Sequence, residues 1–397
     1  DMMPKVEANI NFTDETVEVT KGEGLEDYVV EYMILEEGEY TKAKWSGGAV
    51  EVLETSTIDL DGYIANNGQT PNVLYIRYRE IARDPGPGEL NEVVIPDRPA
   101  TPAMTVNYEA EKTNEVAEYP MIYGISATEL TQNANFEEVA LIPGTDMFFK
   151  LAPTTVSFAS FIQELTVKPR PAAPVGIGIN YYEEVTNKAI GEDIQYGETE
   201  EILLARETIG EGKAVTLTPG VNMYFAYKST EEDFRSEIFT LEVPNRPEKT
   251  AFTVDYKEEK TAEIIPATVM YGTSAETMDT VGTDKRVNLT PGTDLYFYIP
   301  STATAFKSET QHLFVKSRRG APDAKGVDET IWNIGDGKIK GLDAPNEYRV
   351  MKANGQWGDW INNDDDKTIK NLTTGTYEVR YSATSSDFIS HSKNIEI

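Results

Sequence analysis

The 397 residues carry 36 Lys and Arg against 67 Asp and Glu, a formal net charge of −31, with no cysteine and two histidines. A surface this acidic, without a basic patch, repels nucleic acid and anionic lipid, and the missing thiols exclude disulfide frameworks, thiolate metal sites and cysteine nucleophiles. The 39% of hydrophobic residues, with 21 Tyr and 14 Phe, suffice for packed cores, so the charge reads as a folded acidic surface.

In chain order, ANINFTDETVEV from Ala8 reads as a strand followed by a polar turn, and it returns as TVNYEAEKTNEV from Thr105 and FTVDYKEEKTAEI from Phe252. Next come MIYG, IQYG and VMYG, each a short strand ended by Gly. A Pro-Gly turn follows at Pro143, Pro219 and Pro291, 76 and 72 residues apart. Proline sets the first φ of such a turn and glycine accepts a positive one. The strand behind it alternates, with Leu295 and Phe297, Met223 and Phe225, Met147 and Phe149, and Tyr377 and Val379 on one face. Phe148, Tyr224 and Tyr296 fall on the other face, either as a stripe for lateral assembly or as an outer covering. From each Pro-Gly proline to the next Phe (Phe158, Phe234, Phe306) is 15 residues, and to the next anchor Arg (Arg170, Arg246, Arg318) is 27.

The unit therefore has a second half of fixed length. Its first half varies from 45 to 49 residues, the extra four falling with ETEEILLARETIGEGK. An insertion is tolerated in a surface loop and shifts every side chain in a paired strand, so the fixed half is expected to hold the core strands. Arg-Pro, at Arg98, Arg170 and Arg246 with Arg318 in register, is read as the joint, because proline ends a ladder and stiffens the step to the next unit.

About six short strands per unit without a helical stripe predict small antiparallel sandwiches in tandem. The expected fold class is all-β, five tandem Ig-like β-sandwiches forming a rod. The modules are 1–97, a longer one, then 98–169, 170–245, 246–319, and 320–397 with an insertion around ANGQWGDWINNDDD. Strands at ~3.3 Å per residue give a rod on the order of 130 to 170 Å. Each module is expected to close its own interior.

LTPGTDLYFY, then FKSE, then a last strand into an Arg-Pro joint, with LTTGTYEVRYSATSSDF in the final module, resembles the short immunoglobulin-like or fibronectin-III-like repeats of bacterial cell-surface proteins, S-layer-associated proteins and adhesins among them. The resemblance implies an extracellular, non-enzymatic stalk with structural or adhesive work, its partners a cell-wall or surface glycan or other copies of itself. The alternative is a glycan-binding module array attached to a secreted polysaccharide-active enzyme.

Candidate chemistry is sparse. His312 and His391 lie in different modules at unmatched positions, which argues against a triad or a histidine metal site. Trp357 and Trp360 in QWGDW, with Trp332 in the same module, form either a stacking platform for sugar rings or the filling of a small core. Asp364, Asp365 and Asp366, after Asn362 and Asn363, make an oxygen-rich loop that either holds Ca²⁺ or is solvated, and it lacks EF-hand spacing. No other cofactor is expected. Sequons stand at Asn11, Asn288 and Asn371. No run approaches the ~18 apolar residues of a membrane span, and Asp1 opens the chain without a basic, apolar leader, so any signal peptide is expected to have been removed or left out.

Overall fold

The computed structural model describes residues 3–48, 50–79, 87–206, 208–343, 345–363 and 367–397. The chain divides into two compact units, one holding 1–175 with 193–195 and 225–239, the other 176–192 with 196–224 and 240–397. Among the described residues the helical elements are the 3-10 turn Lys42–Ser46 and the α-helix Glu200–Ala205, and every other element is a strand.

The first unit contains two sandwiches. In the first, Glu7–Asn11, Thr16–Thr20 and Thr57–Asp59 form one sheet in that order, and Glu51–Val52, Val30–Glu36, Asn72–Tyr78 and Asn91–Ile95 form the other. Numbered along the chain, the sheets read 1-2-5 and 4-3-6-7. The second repeats this pattern with Val106–Asn107, Lys112–Ala117 and Glu137–Ala140 in one sheet, and Gln132–Asn133, Met121–Gly124, Met147–Leu151 and Gln163–Leu165 in the other. All pairing between these strands is antiparallel. The alternation read from MFFK holds. Met147 and Phe149 are buried between the sheets with Ala117 and Val139, while Phe148 lies on the half-buried outer side.

The second unit contains two more. Residues 320–397 again give 1-2-5, from Lys325–Val327, Gly337–Lys340 and Ile369–Leu372, and 4-3-6-7, from Ile361–Asn362, Asn346–Val350, Thr376–Tyr381 and Lys393–Glu396. In 246–319 the hairpin Val254–Asp255 with Lys260–Thr261 faces a sheet of Thr280–Val281, Met270–Gly272, Leu295–Tyr298 and Gln311–Leu313, and the fifth strand shrinks to single bridges such as Ile265–Lys285. The unit also holds the hairpin Ile179–Asn180 with Val185–Thr186, and the insertion ETEEILLARETIGEGK, which departs from the all-loop expectation. Thr199 caps a single helical turn there by accepting from the Ile202 amide, and Glu200 and Glu201 sit at the positive end of its dipole. These are tandem antiparallel sandwiches of the immunoglobulin and fibronectin-III-like kind, with the fourth strand paired to the third.

In the four sandwiches described strand by strand, each sheet draws its strands from one stretch of chain. The interiors are not closed separately, however. Phe158 belongs to the core of Val17, Ile58, Leu74 and Ile76, Phe234 to that of Phe149 and Leu165, and Phe388 to that of Leu295 and Phe297. Each Phe has left its own module for the one before it.

Candidate functional site

The site built most often in this chain is the joint. Its first half is the loop between the sixth and seventh strands, Thr-x-x-x-Phe-x-Ser, at 154–160, 230–236, 302–308 and 384–390. A threonine amide bonds to the carbonyl three residues on (Thr154 to Ser157, Thr230 to Asp233, Thr302 to Ala305, Thr384 to Asp387), and the hydroxyl of each threonine accepts from an amide two residues ahead, so the loop is tightly folded. The serine hydroxyl is buried. Ser160 accepts from the Leu151 amide at 2.9 Å and donates to the Phe161 carbonyl, and Ser236, Ser308 and Ser390 do the same in their loops. With both the donor and the acceptor of its buried serine used, the loop presents one phenyl ring outward.

The receiver is the first hairpin turn of the preceding sandwich, written Asn or Asp, then aromatic-x-x-Glu. Asn11, Asn107, Asn180 and Asp255 accept turn amides through their side chains. The aromatic lies over the incoming ring: Phe12 on Phe158 at 4.9 Å, Tyr108 on Phe234 at 4.8 Å, Tyr181 on Phe306 at 4.9 Å and Tyr256 on Phe388 at 4.8 Å. The closing residues Glu15, Glu111, Glu184 and Glu259 all hold a left-handed φ, between 50° and 58°. A side chain in that region is costly, which points to a use for the carboxylate.

That use is the anchor arginine. Arg98, Arg170, Arg246 and Arg318 each bind the Glu of the receiving turn and, through Nη1, a carbonyl directly after the incoming Phe: Ala159, Arg235, Lys307 and Ile389. The guanidinium therefore ties the turn, the end of the last strand and the next module's loop together. Spacing follows from this. The Pro-Gly glycine donates its amide to the carbonyl two residues before the arginine (Gly144 to Lys168, Gly220 to Pro244, Gly292 to Lys316), which fixes the span to the anchor.

The joints alternate in chemistry. Arg98 and Arg246 grip Glu15 and Glu184 with both terminal nitrogens, at 2.5 to 2.8 Å. The hydrogen bonds from Arg98 hold the Glu15 carboxyl below its ordinary value despite opposing burial, and those to Glu184 push Arg246 up. Arg170 and Arg318 use one nitrogen each, and a lysine two residues earlier adds a strap. Lys168 donates to the Glu232 carbonyl at 2.9 Å and pairs with Asp233, and Lys316 donates to the Ser386 carbonyl at 2.8 Å and pairs with Asp387. At those positions the bidentate joints have Pro96 and Pro244.

The residues singled out from sequence are placed as follows. Trp357 and Trp360 come together on the outer face of the sheet carrying Asn346–Val350 and Thr376–Tyr381, where guanidinium groups stand over their rings. Arg349 lies 5.0 Å from Trp357 and 4.5 Å from Trp360, and Arg380 lies 3.6 Å from Trp360. Glu378 and Glu347 hold those two arginines in place, and Arg77 over Trp45 repeats the arrangement in the first sandwich, with Glu31 as its carboxylate. Trp332 stands apart in the loop between the first two strands of 320–397. Asp364, Asp365 and Asp366 lie outside the described residues. His312 bonds Asp294 at 2.6 Å and stacks on Tyr296 at 4.7 Å, and the backbone of His391 bonds to the Arg319 carbonyl. Asn11, of the first sequon, is a turn-forming side chain, and Asn371 holds a φ of 59°.

No protein-family model and no curated protein matches the chain. Among solved structures, a crystal structure of the FN1–FN3 domains of chicken CNTN1 is similar over 58% of this chain and 99% of that one, at 12% identity and a TM-score of 0.21. The sandwich fold follows from the strand order within each sheet.

Proposed function

We propose that the chain is a load-bearing or spacer segment of a bacterial surface protein, a non-catalytic stalk that holds its sandwiches in fixed succession outside the cell. The single observation that supports it is the joint: one knob, one receiver and one arginine clamp, used four times. A linker meant only to connect domains needs none of these. Burying a phenyl ring stabilises each step by about 2 to 3 kcal/mol, and the clamp fixes its direction. Proposed partners are a surface or wall glycan, or further copies of the chain. No helix among the described residues is long and apolar enough to cross a membrane.

Small-angle scattering of the intact chain tests this reading. A stalk requires a maximum dimension on the order of 130 to 170 Å. A compact particle with a radius of gyration of about 21 Å contradicts it.

A further inference from the structure

We infer that the outer face of the first sheet in residues 320–397 binds an anionic, pyranose-based polysaccharide, with lysines meeting its acid groups and Trp332 stacking on a sugar ring. In that sheet Lys325 stands directly opposite Lys340, and Val327 opposite Lys338, so all four share one face. All four are exposed, while Ile339 between the two lysines points inward and is fully buried.

Like charges directly opposed across strands destabilise a pair. A chain with 67 acidic residues has ample means to neutralise them, yet among the described residues none of these three lysines forms an ion pair. A face that keeps its positive charges apart from the chain's own carboxylates is suited to carboxylates or phosphates from outside.

The adjoining loop, 328–336, replaces the aromatic-x-x-Glu turn of the other sandwiches and carries an apolar tip. Trp332 is 81% exposed, between exposed Ile331 and Ile334. The tip is held rigidly. Glu329 accepts from the amides of Asn333 at 3.0 Å, Thr374 at 2.8 Å and Gly335, and Asp336 accepts from the Thr330 amide and hydroxyl. An exposed indole in the loop that joins the two lysine-bearing strands matches a polymer that offers both ring faces and acid groups. Trp357 and Trp360 are less suited to this, since Arg349 and Arg380 stand over their rings. A lipid surface fits less well, because lowering the tip into headgroups also brings Asp328, Glu329 and Asp336 to the anionic plane.

The test is binding of the intact chain to polygalacturonate at low salt, with neutral dextran and phosphatidylglycerol vesicles as comparisons. Expected is binding to polygalacturonate alone, weakened about tenfold by Lys340→Glu and by Trp332→Ala. Lys112→Glu, the same charge change on an exposed strand of the second sandwich, leaves affinity unchanged. No binding to polygalacturonate, equal loss with Lys112→Glu, or preference for the vesicles overturns the inference.

Discussion

Arg246 holds Glu184 by two parallel hydrogen bonds of 2.6 and 2.5 Å, while Arg318 holds Glu259 by one of 2.6 Å and leaves the remaining restraint to Lys316. The guanidinium fork is what makes the first pairing bidentate, and an ammonium group cannot reproduce it. Arg246→Lys is expected to cost its joint about 1 to 2 kcal/mol, and Arg318→Lys about half of that, because the lysine strap persists. Hydrogen exchange at the Glu184 and Glu259 turns measures the difference.

The first joint should respond to acid. Glu15 titrates lower in the folded chain than its ordinary value of 4.5, chiefly through its hydrogen bonds from Arg98. A depressed carboxyl contributes stability that is present above 4.5 and is lost as the pH falls through the lowered value. Protection of the turn amides around Glu15 is therefore expected to be flat from neutral pH down to about 5 and to fall below 4.5, and Glu15→Gln should remove that fall.

The Pro-Gly turns offer a second point of attack. Gly220 has φ of +85°, and a Cβ there would meet the Asn245 Oδ1 at 2.3 Å; for Gly292, at +86°, it would meet the Ser317 Oγ at 2.9 Å. Both turns lie against the stretch that leads into the anchor arginine. Alanine at either position is expected to destabilise by about 1 to 2 kcal/mol from the left-handed φ alone. The loss should be greater at Gly220, where the approach is closer, and urea unfolding followed by local exchange reads it out.

The all-β sandwich class, the alternation of Leu295 and Phe297, and the fixed length of the second half were legible in the sequence, because period-two burial and turn chemistry are local in the chain, whereas the order of strands within each sheet was not. The destination of Phe158, Phe234, Phe306 and Phe388 was not. Spacing records where a side chain lies along the chain, and says nothing about which interior accepts it. A signal was nonetheless present: Glu15, Glu111, Glu184 and Glu259 close the same turn after an aromatic, and four anchor arginines recur, one for each of them. Trp357 and Trp360 were recognisable as neighbours, but their arginine partners come from strands that pair only in three dimensions.

Hydrogen exchange of the second sandwich in the Phe234→Ala chain is the most direct measurement of how these modules depend on one another. Phe234 is supplied by the third module and covered by Tyr108 of the second, and truncating a buried phenyl ring typically costs about 3 to 5 kcal/mol. The expected result is lost protection in the core strands Met147–Leu151 and Gln163–Leu165, with the ring's own loop affected as well. Protection unchanged in those strands, with loss confined to 230–236, would contradict a core completed by its neighbour.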